Sequence, residues 1–141
     1  MMRESSVDKY NERNAGDVIE RAWSVSCYET PKMFRVDYQI MKNGKHLAFG
    51  EYKCTRKSIK EKGSHYWIDF DKIAKMQEYS LKSRKPVILF VEFLEGLFWI
   101  KLDGDEDVFE LGRYKGANLK PCSKIPIKLF QKLNENEATP I

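Results

Sequence analysis

The stretch Pro86–Phe93, PVILFVEF, constrains the fold more than any other part of the chain. Its apolar run is broken only by Glu92. A strand that alternates buries one face, whereas a run without alternation buries both. It therefore belongs in the middle of a sheet with a layer on each side. The cover is written elsewhere in the chain. Ala15, Val18, Ile19, Ala22 and Trp23 fall at helical spacings within 7–27, and Phe70, Ile73, Ala74, Gln77 and Leu81 do so within 69–84. Gln77 stands in the middle of that second apolar face, where a buried amide needs partners, whereas Met76 and Tyr79 fall away from it. A strand pair precedes this helix, and Leu97–Leu102 reads as a strand after Gly96. The order of helix, two strands, helix, two strands predicts an α/β domain with a mixed sheet.

The strand pair lies in Phe34–Thr55. Phe34, Val36, Tyr38 and Ile40 alternate with Arg35, Asp37, Gln39 and Met41, the period of a strand. Asn43-Gly44 marks the turn. A two-residue loop pairs Lys42 with Lys45 and sets Asp37 opposite Gly50; a three-residue loop pairs Lys42 with His46 and sets Asp37 opposite Glu51. The second is preferred because it gathers two carboxylates and a lysine, with Leu47, Phe49, Glu51 and Lys53 on one face. Two carboxylates on adjacent strands form a hard-oxygen site suited to Mg²⁺. Lys53, two residues on, can orient a water or neutralise charge on a phosphate. The plainer reading of such loose spacing is a solvated, salt-bridged face.

The charge is mildly basic, +4 over 141 residues, and does not by itself imply a nucleic-acid partner. Its distribution says more. Lys53, Arg56, Lys57, Lys60 and Lys62 crowd the stretch after the carboxylates, in a loop expected to be mobile. At 42% hydrophobic residues the chain is expected to fold as one domain, 1–141, with a core over about 7–133 and a disordered tail over 134–141. Tyr28–Lys32 reads as a connector and Pro126–Leu133 as a short helix. Cys27, Cys54 and Cys122 lie far apart without zinc-ligand spacing, and no leader or membrane-spanning stretch is evident, so reduced thiols in a cytoplasmic protein are expected.

The layout resembles the PD-(D/E)XK nucleases, and within them the Holliday-junction resolvases of archaeal and RecU type. Asp37 and Glu51-Tyr52-Lys53 match the hairpin motif, and Gly16 and Glu20 match a Gly-x-x-x-Glu element of the N-terminal helix. Gln77 resembles a helix glutamine of RecU-type members, and the similarity spans about Asn14–Leu102. Val36 stands where many members have proline before the aspartate, and Leu81 where some relatives carry tyrosine. The resemblance implies a restriction-endonuclease-like mixed β-sheet flanked by helices. It implies an endonuclease that uses Mg²⁺ or Mn²⁺ held by Asp37, Glu51, the Tyr52 backbone carbonyl and Glu20, with Gln77 supporting the site. Arg56, Lys57, Lys60, Lys62 and Lys72 would bind DNA phosphates. Branched DNA as substrate, a homodimer and a phage-encoded origin are the matching expectations. On helix geometry alone Glu12 lies nearer the apolar face than Glu20 or Asp17; the resemblance places Glu20 first.

Overall fold

The structure, a computed structural model, describes residues 6–31, 36–55, 57–63, 65–102, 109–113 and 119–134. Helix α1, Ser6–Trp23, is followed by strands β1, Ser26–Glu29, β2, Tyr38–Lys42, and β3, Lys45–Cys54. A short helix α2, Ile59–Lys62, strand β4, His65–Asp69, and helix α3, Phe70–Ser83, lead to β5, Val87–Phe93, and β6, Gly96–Leu102. Strands β7, Phe109–Arg113, and β8, Leu119–Pro126, a 3₁₀ turn at Ile127–Leu129 and β9, Gln131–Lys132, complete the described elements.

The main sheet has the order β1-β2-β3-β5-β6-β9. β3 and β5 are parallel, and the other neighbours are antiparallel. A parallel neighbour cannot be reached by a tight turn, so α2, β4 and α3 form the crossover between β3 and β5. Val87 to Val91 are all completely buried, as a doubly covered central strand requires. Ile88 and Phe90 meet Ile19, Ala22 and Trp23 of α1, whereas Val87, Leu89 and Val91 meet Ile73 and Met76 of α3. Trp23 anchors the first layer, its ring 5.5 Å from Phe90 and 5.3 Å from Trp99. β4, β8 and β7 form a second, antiparallel sheet.

Several expectations need correction. The connector at Tyr28–Lys32 overlaps an edge strand, because Ser26–Glu29 pairs with β2. The Pro126–Leu133 segment is no helix: Phe130 returns to extended backbone at φ −74, ψ 140 after one 3₁₀ turn, and Gln131 and Lys132 pair with β6. The basic loop carries α2, and Glu95 fixes it by accepting the Ile59 N–H at 3.1 Å. Helix α3 is rotated from the predicted face: Met76 is completely buried and Tyr79 packs on Phe49 at 5.6 Å, while Leu81 is 81% exposed. Arg56 and the tail from 135 lie outside the described residues.

The hairpin turn is the two-residue form. Lys42 pairs with Lys45, and Asn43 (φ 52) and Gly44 (φ 76) take the left-handed conformation that such a turn requires. Met41 pairs with His46 but Ile40 pairs with Ala48, so Leu47 is an extra residue in β3. This bulge turns Leu47 toward the α1 layer, away from Phe49 on the α3 side. It also advances the register by one residue, so that Tyr38 meets Gly50. Continued by one residue, this register sets Asp37 beside Glu51. The predicted juxtaposition is present, produced by a bulge instead of a longer loop.

Candidate active site

Asp37 enters the sheet just before β2. Its N–H donates to Gly50 O at 2.9 Å, and its carbonyl accepts the Thr30 N–H at 3.0 Å. These bonds fix the backbone, and the side chain is fixed from β3: Oδ2 accepts the Tyr52 N–H at 2.8 Å. The N–H and C=O of one strand residue point to the same side, so the Tyr52 carbonyl also faces the edge of β3 that β2 has left. Gly50 has no side chain because a Cβ would stand 3.1 Å from both the Phe90 and Tyr38 rings. Gly16 of α1 lies against the same Tyr38 ring, where a Cβ would stand in ordinary contact at 3.4 Å.

Glu51 is 2% exposed and points to the α3 side. Lys72, in the first turn of α3, places Nζ 2.9 Å from its Oε1, and Lys53 Nζ lies 3.9 Å from the same oxygen. The other oxygen, Oε2, is buried with no hydrogen-bond partner among the described residues. Burial pushes the Glu51 carboxyl up to about 7, and the nearby Asp37 adds to the rise. The two lysines only partly offset it. Burial alone would lower the Lys72 ammonium, but Glu51 and then Asp37 outweigh it and leave it above its ordinary range. A buried carboxylate with one unsatisfied oxygen, raised further by a nearby second carboxylate, suits a site prepared for a cation.

A family model of phage PDDEXK endonucleases matches residues 2–133. The chain belongs to this family. The PDDEXK resemblance read from the hairpin and helix motifs is thereby borne out. No curated protein sequence matches the chain. Among solved structures it is similar to Hjc, a Holliday junction resolvase from the archaeal hyperthermophile Archaeoglobus fulgidus. That likeness has a TM-score of 0.56 at 8% identity and covers 89% of this chain and 87% of the other. The restriction-endonuclease-like fold, a six-stranded mixed sheet flanked by helices, is as expected.

The PDDEXK hairpin residues Asp37, Glu51, Tyr52 and Lys53 are brought together. Lys72, expected among the phosphate-binding residues, is instead bonded to Glu51. Sequence spacing could not reveal this, because it depends on how α3 returns over the sheet. Gln77 is half-buried, five residues beyond Lys72 and so about 140° round the helix from it. Lys57 and Lys60 are exposed beside the β5–β6 turn, where Lys57 O accepts the Leu94 N–H at 3.0 Å.

Glu20 is engaged elsewhere. Its Oε2 accepts the Cys27 N–H at 2.8 Å on edge strand β1. Cys27 pairs with Ile40, three residues and roughly 10 Å along β2 from Asp37. Glu12, two turns earlier in α1, is 4% exposed, pairs with Lys9 at 3.5 Å, and belongs to the turn whose carbonyl accepts the Tyr38 hydroxyl. Since α1 and α3 cover opposite faces, a carboxylate on α1 can meet Asp37 and Glu51 only where β2 ends. Of Glu12 and Glu20, Glu12 is the one whose backbone carbonyl is bonded to the side chain of Tyr38, the residue after Asp37.

Proposed function

We propose that this PDDEXK protein is a divalent-metal-dependent DNA endonuclease acting on branched DNA of the Holliday-junction type. The observation that carries the reading is the convergence of Asp37 and Glu51 beyond the end of β2, with two lysines on the same carboxylate. The donors fit a hard divalent cation, Mg²⁺ or Mn²⁺. Glu51 offers a buried oxygen without a partner, and ionised Asp37 and Glu51 disfavour each other unless positive charge lies between them. Among the described residues no group of three or more His, Cys, Asp or Glu side chains is placed to hold a metal. Such ions commonly take one or two carboxylates and keep several waters.

Asp37, Glu51 and the Tyr52 carbonyl would hold the ion, with Glu12 or Glu20 supplying the helix carboxylate. When bound, the ion supplies acidity to a water and neutralises charge developing on the phosphate. The chain's own residues do the rest. Lys53 faces the scissile phosphate and orients the attacking water. Exposed Lys57 and Lys60, with Arg56 and Lys62 of the same stretch, hold flanking phosphates. Gln77 would steady the site from α3. Because each chain carries one site, symmetric cutting of two strands calls for a homodimer. The phage family supports action in the cytoplasm of an infected cell.

The test is cleavage of a synthetic four-way junction beside matched linear duplex, with Mg²⁺, Mn²⁺ or EDTA, by the protein and by Asp37→Asn. Paired metal-dependent nicks in the junction alone, lost in the variant, are expected. Equal cutting of both DNAs would replace the junction reading by a less specific nuclease. Junction binding without cutting in any metal would leave a DNA-binding module. Cleavage surviving Asp37→Asn would refute the site.

A further inference from the structure

Lys72 has a place that neither the sequence motif nor the family match assigns. It stands at the third position of α3, anchored by buried Ile73 next to it and Met76 one turn on. Its ammonium lies 2.9 Å from Glu51 Oε1, a full ångström closer than Lys53 at 3.9 Å. Two ammonium groups thus converge on one oxygen of a carboxylate whose other oxygen has no partner. Glu51 itself is fixed in the sheet at 2% exposure, whereas the Lys72 side chain keeps 36% of its surface in solvent. Of the pair, the lysine is the member with access to solvent.

We propose that Lys72 is the resident counter-ion of the two-carboxylate site: it holds Glu51 Oε1 until a divalent cation enters, and is then released toward the phosphate of bound DNA. The inference rests on the nuclease reading above. The physical reason is competition between like charges. A buried carboxylate without a partner is costly, and a lysine on a neighbouring helix relieves that cost in the metal-free protein. A divalent cation on the same carboxylate repels the ammonium a few ångströms away. The long, partly solvated stem lets the ammonium move without unpacking α3. Lys53 stays near the site throughout, so the two lysines divide the work between substrate and carboxylate.

The test uses the full chain without DNA first. Mn²⁺ affinity is measured at pH 8.5 for the protein, Lys72→Met, Lys72→Arg and Lys57→Ala, each checked for folding by circular dichroism. Lys72→Met is expected to bind Mn²⁺ about tenfold more tightly, because one competing positive charge is gone. Lys72→Arg is expected to stay near the parent, as is Lys57→Ala. Cleavage is then compared. Lys72→Met is expected to lose about tenfold or more in kcat with little change in junction affinity, and Lys72→Arg to recover part of it. Should Lys72→Met fail to fold, Lys72→Gln serves in its place. Unchanged or weaker Mn²⁺ binding by the folded variant overturns the counter-ion proposal. A loss confined to DNA affinity, with one fewer unit of salt slope, also overturns it and makes Lys72 a phosphate clamp. Failure of the parent to cut any DNA would refute the nuclease reading, whereas the metal titration would still decide the counter-ion role.

Discussion

Replacing Glu51 by glutamine is expected to make the metal-free protein more stable while abolishing cleavage. Glutamine keeps the shape and the neutral state of a protonated glutamate. The Glu51 carboxyl is raised from 4.5 to about 7 because burial, then Asp37, disfavours its charge more than Lys72 and Lys53 favour it. That difference of roughly 2.5 pH units corresponds to about 3 kcal/mol, already net of both lysines. The folded state holds the proton more tightly than the unfolded chain. The Glu51 contribution to stability is therefore greatest below pH 4.5, falls as pH rises toward about 7, and levels off above. At pH 8 in EDTA, Glu51→Gln should exceed the parent by about 1–3 kcal/mol, or roughly 3–10 °C in Tm for a chain of this length. At pH 5 the gap should close. Urea unfolding followed by circular dichroism at the two pH values reads both quantities. Mg²⁺ should stabilise the parent and not the variant, because only the parent offers a second carboxylate. A variant less stable than the parent at pH 8, or a gap independent of pH, would refute the argument that Glu51 is a carboxylate held against its own preference.

Other outcomes follow from single contacts. Gly50→Ala should cost about 1–3 kcal/mol, measured by urea unfolding, because the new methyl meets two aromatic rings in the core at 3.1 Å. Cys54 is exposed and should react quickly with a thiol reagent at pH 8, whereas the Cys27 thiol, pushed up to about 12 by burial and then by Glu20 and Asp17, should react slowly. Alanine at Lys57 or Lys60 should weaken junction binding and lower its salt slope by about one unit each, as read from binding across a salt series. Salt slopes unchanged in both variants would remove this loop from the DNA interface.

The fold was legible wherever burial left a mark on consecutive residues. Val87–Val91 lacks alternation because two helices cover it, and the stripe Ala15-Ile19-Ala22-Trp23 faces one core. What escaped were elements defined by pairing instead of pattern. Ser26–Glu29 is strand only because β2 lies beside it, and its four residues carry no period of their own. The rotation of α3 escaped for a related reason. Phe70 and Leu81 are apolar yet exposed, so composition pointed to a face about a quarter of a turn from the true one, set by Ile73 and Met76. The hairpin is more instructive. Asn43-Gly44 correctly signals a two-residue turn, yet that turn alone would misplace Asp37. The bulge at Leu47 restores the pairing, and nothing in the residue types announces a bulge.

The helix carboxylate divides a reading by motif from a reading by geometry, and one experiment separates them. Gly16 and Glu20 match a family element, and Gly16 lies against the Tyr38 ring. The spacing from glycine to acid then leads away from the opening, to a carboxylate that satisfies the Cys27 amide. Eight residues of helix, about 12 Å, separate Glu20 from Glu12. Glu12 is almost fully buried beside the Tyr38 hydroxyl, the residue directly after Asp37. Glu12→Gln is therefore expected to lower kcat by about tenfold or more, with folding kept, because glutamine preserves shape and hydrogen bonding but removes charge. Glu20→Gln should leave kcat within about twofold, since an amide oxygen still accepts the Cys27 N–H. Glu20→Ala should cost about 1 kcal/mol of stability through that lost bond. The reverse result, with Glu20→Gln inactive and Glu12→Gln unimpaired, would mean that the site reaches along β2 to the edge strand. The opening at the end of β2 would then be the wrong place to look for the third carboxylate.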